Sequence, residues 1–272
     1  MARAGGIPVT AKIGALILGA IVLLALFAPA ISAYKPLQTD LAGALRGPTG
    51  GHPFGQDRLG RDVFAQVAYG ARASMLISVS VVSLTVLVGV AVGAAAGYLG
   101  GAIDVAAMRV VDIFLAFPGI LLAIALAGVL GPNLMNLVIA LSVMGWVGYA
   151  RLMRAQVLGL REREYVAAAR AVGASSWRVV TRHILPNALS PVIVQATFSA
   201  AGVIIAESSL SFLGLGPQDV PTWGGLLAQG AAYLLYAPHI AFFPGFFIML
   251  TVLALNLVGD ALRDALDPKS HH

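Results

Sequence analysis

Six runs of apolar residues, each about twenty long, leave this chain little freedom in how it folds. They are Ile13 to Ala33, Ser74 to Tyr98, about Val105 to Leu130, Leu134 to Leu152, Pro191 to about Leu213, and His239 to Val258. In hydrocarbon every backbone N–H and C=O must find a partner inside the protein, so runs of this length become helices that cross a bilayer. Composition agrees: 59% of the residues are hydrophobic and 11% charged, where a soluble domain carries roughly a quarter charged. The expected fold class is an all-α membrane protein with six transmembrane helices. The first run ends APAISA, Ala28 to Ala33, a small-residue pattern that also suits signal-peptide cleavage. Its length favours retention as a membrane helix.

The charges set an orientation. With both termini in the cytoplasm, Arg3, Lys12, Arg151, Arg154, Arg161, Arg163, Arg170, Arg178, Arg182, Arg263 and Lys269 fall on the inner side, joined by Arg109. Inner loops carry such an excess of basic residues, so the formal charge of +5 does not call for nucleic acid. Residues 1–73 are expected to form the first helix and an extracytoplasmic loop, and 74–268 a five-helix core with an inner loop at about 160–189. Residues 269–272 are a tail that reads as a possible tag remnant, so His271 and His272 enter no metal argument. Within the outer loop, Asp57 with Arg58 and Arg61 with Asp62 read as solvated ion pairs. Arg109 and Asp112, three apart at the start of the third span, are placed to pair with each other. Trp223 and Tyr233, between Pro217 and Pro238, are expected interface anchors.

One inner segment, from Glu162 to Pro191, is both charged and helix-forming. Glu164 to Val172 is rich in good helix formers, and Gly173 stands where a left-handed helix stop belongs. Ser175 or Ser176 caps a second helix, on which Trp177, Val180 and Ile184 share one face and Arg178 and Arg182 another. Pro186 is expected to end that helix, with Ser190 and Pro191 starting the fifth span. Such an amphipathic pair is a docking element for another protein or a surface lying on anionic lipid, and local physics leaves both open.

The same segment resembles the EAA loop of bacterial ABC-transporter permeases: E-A-A, three residues, G, nine residues, I-x-L-P. Ala168, Ala169, Gly173, Leu185 and Pro186 match in register; Ala167 stands at the glutamate and His183 at the isoleucine, with Ile184 one place later. Three further blocks resemble the C-type permease subunit of dipeptide and oligopeptide importers. His52 to Met75 carries Asp57, Gly60, Arg61, Asp62, Gly70 and Arg72, with Gln56 at a usual threonine; the others are Glu207 to Gly224 and Asn256 to Pro268. The resemblance implies a type I ABC importer permease fold in the bacterial inner membrane. It implies a second homologous permease as partner, cytoplasmic ATP-binding subunits that hold ATP and Mg, and an extracytoplasmic peptide-binding protein. ATPase coupling then falls to Glu164, Ala168, Ala169, Gly173, Ala174, Ser175, Trp177, Arg178, Arg182, Leu185 and Pro186.

No enzyme chemistry is visible. The lysines are Lys12, Lys35 and Lys269, none in a G-x-x-x-x-G-K-[ST] phosphate loop, so ATP hydrolysis belongs to other chains. Cysteine is absent, His52, His183 and His239 are too scattered for a metal site, and no cofactor is expected in this chain. Gln195, Phe198, Glu207 and Asn256 are candidate pathway residues from polarity and position on the spans, Glu207 being equally suited to headgroup level. An ion-coupled carrier using Asp112 and Glu207 is the alternative, although the chain lacks the internal repeat common in such carriers. A membrane scaffold that recruits a soluble partner is a third reading.

Overall fold

A computed structural model describes residues 8–266; Arg3, Lys269 and the 269–272 tail lie outside the described residues. The long helices are α1 (Val9–Ile31), α2 (Val63–Leu99), α5 (Leu134–Leu160), α8 (Leu185–Phe212) and α10 (His239–Leu266). Shorter ones are α3 (Gly101–Leu115), α4 (Gly119–Leu130), α6 (Glu164–Ala171), α7 (Ser176–Val179) and α9 (Trp223–Ala231).

The central pair is α2 and α5, which run parallel. Gly89, Gly93 and Gly97, one turn apart on α2, let its backbone approach Tyr149, Ala150, Met153, Arg154 and Val157 of α5. A Cβ on Gly93 would overlap the Ala150 carbonyl and stand 2.8 Å from Met153 Cβ. From the other side, Gly145 of α5 leaves room for the Thr85 side chain of α2. Lipid tails are as apolar as leucine, so helices in a bilayer gain little from apolar burial and depend on this kind of close contact.

Polar bonds fix the end of that seam. Arg154 grips both carboxylate oxygens of Asp104 on α3, its Nη2 at 2.6 Å from Oδ2, and Arg161 Nη1 donates to the Gly97 carbonyl at 3.0 Å. The expected Arg109–Asp112 pair is not formed; among the described residues the ion pair of α3 joins Asp104 to Arg154. A bidentate arginine on a neighbouring helix offers two parallel bonds that a one-turn pair on an exposed face does not.

The third span is not straight. α3 and α4 meet at 82°. Pro118 lacks an N–H and its ring would strike the carbonyl one turn back, so the helix stops at Leu115 and restarts at Gly119. The pair still crosses: α3 begins beside Arg154 near the end of α5, whereas Ala123 and Ala127 of α4 pack with Ile77 of α2 and Leu137 and Val138 near the start of α5. By length and composition the described residues allow five crossings from single long helices and a sixth when this bent pair counts as one span.

The loop expected from Tyr34 to Ala73 is shorter than that, because α2 already begins at Val63. Its start is tied by buried carboxylates, not solvated ion pairs. Asp62 caps α2 by accepting from Ala65 N at 2.6 Å and meets His52 Nδ1 at 2.8 Å. Asp57 accepts from the backbone N–H groups of Leu59 and Arg61 and from Gln66 Nε2. Five donors reach these two acids, which explains how they tolerate burial. Trp223 is likewise inside, fully buried with Nε1 donating to the Val67 carbonyl at 3.0 Å, so it is a core residue and not an interface anchor. Tyr233 packs against the same core.

Replacing Gly93 by leucine should force α2 from α5 and lower stability by about 3 kcal/mol or more, the upper range for overpacking. Gly148→Leu, on the open face of α5 where a Cβ meets nothing within 4 Å, should leave the melting temperature of the detergent-purified protein within a few degrees. Equal melting of the two variants would refute the seam.

Candidate functional site

The segment after α5 is built as a closed hairpin of two short helices. α6 forms on Glu-Tyr-Val-Ala-Ala-Ala-Arg-Ala, and its Val166 is buried with Met153 and Val157 of α5 and with Val179 and Ile184. Gly173, at φ +83°, ends it. Gly173 N donates to the Arg170 carbonyl at 2.9 Å and Ala174 N to Ala169 at 3.1 Å, the paired bonds of a glycine-closed helix end. Ser175 then caps α7 through Arg178 N at 3.4 Å.

Beyond α7 the chain departs from expectation. Pro186 does not end a helix, and the fifth span does not begin at Ser190. Instead Val180–Ile184 form a π turn that leads straight into α8, giving one helical course from Ser176 to Phe212. The wide turn removes the conflict that Pro186 would create: Leu185 N bonds back five residues to Val180, and Asn187 Nδ2 donates to the His183 carbonyl at 2.8 Å. The inserted residue also rotates the faces. Val179 and Ile184, five apart, point inward, whereas Trp177, expected to share a face with Ile184, is 78% exposed.

The structure therefore brings the expected coupling residues into one projecting unit. Glu164, Ala168, Gly173, Ser175, Trp177, Arg178, Arg182 and Pro186 are exposed, with Ala169, Ala174 and Leu185 half-buried beneath them. Val172, 85% exposed, adds a second apolar side chain to the tip. Arg170 is set apart, its guanidinium 5.2 Å from the ring centroid of Tyr98 at the end of α2.

The four candidate pathway residues sit in different settings on α8 and α10. Gln195 is exposed and donates to Ser199 Oγ at 3.5 Å, Phe198 packs over Gly259 of α10, and Asn256 bonds the Val252 carbonyl on its own helix. Glu207 is fully buried, accepting from Ser74 Oγ of α2 at 3.0 Å and from Ser211 Oγ at 2.8 Å. Sequence reasoning missed a cavity of about 360 Å³ between α2, α4, α5 and α8, lined by Thr85, Gly119, Met144, Tyr149, Ser199 and Ala206. Its only polar groups are hydroxyls spread over three helices, which no local motif reveals. Among the described residues no cluster of His, Asp or Glu could hold a metal ion.

Residues 89–272 match a family model described as the binding-protein-dependent transport system inner membrane component. The chain belongs to this family of transport components. Residues 10–48 match a second model, the N-terminal TM domain of oligopeptide transport permease C. The dipeptide transport system permease protein DppC of Alkalihalophilus pseudofirmus is 44% identical over 95% of this chain and 86% of its own length. The oligopeptide transport system permease protein OppC of Bacillus subtilis is 42% identical over 95% and 85%, respectively. The glutathione transport system permease protein GsiD of Pectobacterium atrosepticum is 43% identical over 82% and 74%. Among solved structures, the inward-facing methionine ABC transporter MetNI aligns with a TM-score of 0.58 at 18% identity, over 74% of this chain and 96% of that one. That likeness shows the fold of a type I ABC importer permease. Family membership and the apolar spans place the chain in the bacterial inner membrane as a multi-pass permease component, not an enzyme.

Glu207→Ala should leave the Ser74 and Ser211 hydroxyls unpaired inside the bundle and cost about 1–3 kcal/mol. Glu207→Gln, which retains an acceptor, should melt closer to the parent in the same detergent. A Glu207→Ala protein as stable as the parent would show that the buried cluster does not hold α2 to α8.

Proposed function

We propose that this chain is one of two related permease subunits of an ATP-driven peptide importer, and that it forms half of the translocation path. The carrying observation is the projecting hairpin of α6 and α7, closed at Gly173 and continuous with the fifth span. It offers an ATPase subunit a rigid tip with apolar Trp177 and Val172 flanked by Arg178 and Arg182. Peptide is the substrate class that the names of the dipeptide and oligopeptide relatives support.

Both chain ends and the hairpin lie in the cytoplasm in this reading, which follows the distribution of basic residues. The opposite end of the bundle, with Asp57, Asp62 and α9, faces a peptide-binding protein outside. ATP and Mg belong to the ATP-binding subunits. Closure of those subunits around ATP draws the two hairpins together and opens the path outward; hydrolysis returns it inward. Work at the hairpin reaches the membrane because Val166, Val179 and Ile184 seat it on α5 and α8.

The reading is tested by ATP-dependent uptake of labelled peptide into proteoliposomes holding the whole complex and its binding protein; uptake without ATP, driven by an ion gradient, would refute it. Gly173→Val finds open space, but at φ +83° a β-branched residue costs about 1–2 kcal/mol in the left-handed region. It should yield an assembled complex that hydrolyses ATP with little uptake, and normal uptake would count against the hairpin. Arg178→Glu with Arg182→Glu should instead abolish co-purification of the ATPase, while a fully retained ATPase would remove that face from the interface.

A further inference from the structure

At the end of the bundle remote from the hairpin, a partly enclosed cavity of about 170 Å³ lies between the start of α2 and the Gly214–Thr222 connection to α9. Its polar lining is Arg61, Gln66, Ser211, Gln218, Thr222 and Gln229. Most of these groups are already engaged. Gln66 donates to Asp57, Ser211 to Glu207 and Gln218 to the Gly216 carbonyl, while Thr222 Oγ1 accepts from Gly225 N. Arg61 is different. Its buried Nε–H has no partner, and among the described residues its guanidinium enters no ion pair. Asp57, four residues back, has its oxygens taken by two backbone N–H groups and Gln66, and the adjacent Asp62 is bound by Ala65 N and His52.

We propose that this cavity is a carboxylate-binding pocket that receives an acidic side chain of the extracytoplasmic binding protein when it docks, an inference that rests on the importer reading above. A half-buried guanidinium without a counter-charge suits a two-pronged carboxylate. The volume falls well below the roughly 300–1,000 Å³ of pockets that enclose a whole small ligand, and it suits one inserted side chain. Charge points the same way. Lys35, Arg46 and Arg58 are exposed around this end, whereas Asp57, Asp62 and Glu207 are sealed inside, leaving Asp40 and Asp219 as its exposed acids among the described residues. Such a surface draws and orients an acidic partner.

The test uses the complete complex in nanodiscs, with Arg61 intact, as Arg61→Gln and as Gln229→Glu, titrated with the binding protein carrying trialanine or trialanine amide. Each substitution should weaken docking at least tenfold, equally for the two peptides, and flatten the salt dependence seen with the parent. Gln229→Glu keeps Arg61 but supplies an internal carboxylate, so it gives the answer if Arg61→Gln fails to assemble. Unchanged docking in both variants overturns the pocket. A loss seen with trialanine but not with its amide assigns the site to the peptide carboxylate and overturns the docking role. Should the parent complex show no ATP-dependent uptake of trialanine, the importer reading falls and this assignment with it; normal parental uptake with unaffected docking of the variants sinks the pocket alone.

Discussion

Everything in this bundle depends on how closely α2 can approach α5. Without water to expel between them, two helices in lipid gain adhesion only from van der Waals contact and from polar bonds that lipid cannot replace. Three glycines on α2 and Gly145 on α5 supply the first, and the Arg154–Asp104 and Arg161–Gly97 bonds supply the second. The bent third span is anchored at both ends to this pair, through Asp104 at one and Ala123 and Ala127 at the other. The base of the hairpin rests on it through Met153 and Val157.

The crossings were legible because the bilayer imposes a length and a composition that few other constraints can override. The hairpin was legible for a local reason: an alanine-rich stretch, a glycine and a serine specify helix, stop and cap within a dozen residues. Proline was the hardest residue to place. Pro118 broke a span that hydropathy joined, and Pro186 failed to break one that propensity ended, because whether a neighbouring turn widens to absorb the ring is decided by packing at Val179 and Ile184. Tertiary partners were the other blind spot. Nothing local distinguishes Asp57 and Asp62 as buried acceptors from the same acids in solvent, since their donors come from a folded loop. Asp104 finds Arg154 fifty residues away, beyond any pattern on a single helix.

The two ends of the molecule are built by opposite means. Around Asp57 and Asp62, charge is drawn inward and saturated with donors, which makes a rigid knot at the start of α2. At the hairpin, charge is pushed outward and the anchoring is apolar, with Val166, Val179 and Ile184 beneath an arginine-bearing surface. A knot of buried hydrogen bonds resists deformation because each broken bond leaves an unsatisfied group. An apolar seat has no such directional demand and tolerates sliding.

The π turn gives the fifth span a mechanical character. Since Ser176 to Phe212 forms one uninterrupted course of 37 residues, at about 1.5 Å per residue it is a rod roughly 55 Å long, well over the thickness of the hydrocarbon it crosses. A rod that protrudes on one side and is held near the far side by Glu207 against Ser74 behaves as a lever with a defined fulcrum. Displacement applied at Trp177 then emerges as tilt, whose arc shrinks along the rod from the hairpin through Gln195 to almost nothing at Ala206, beside the Glu207 contact.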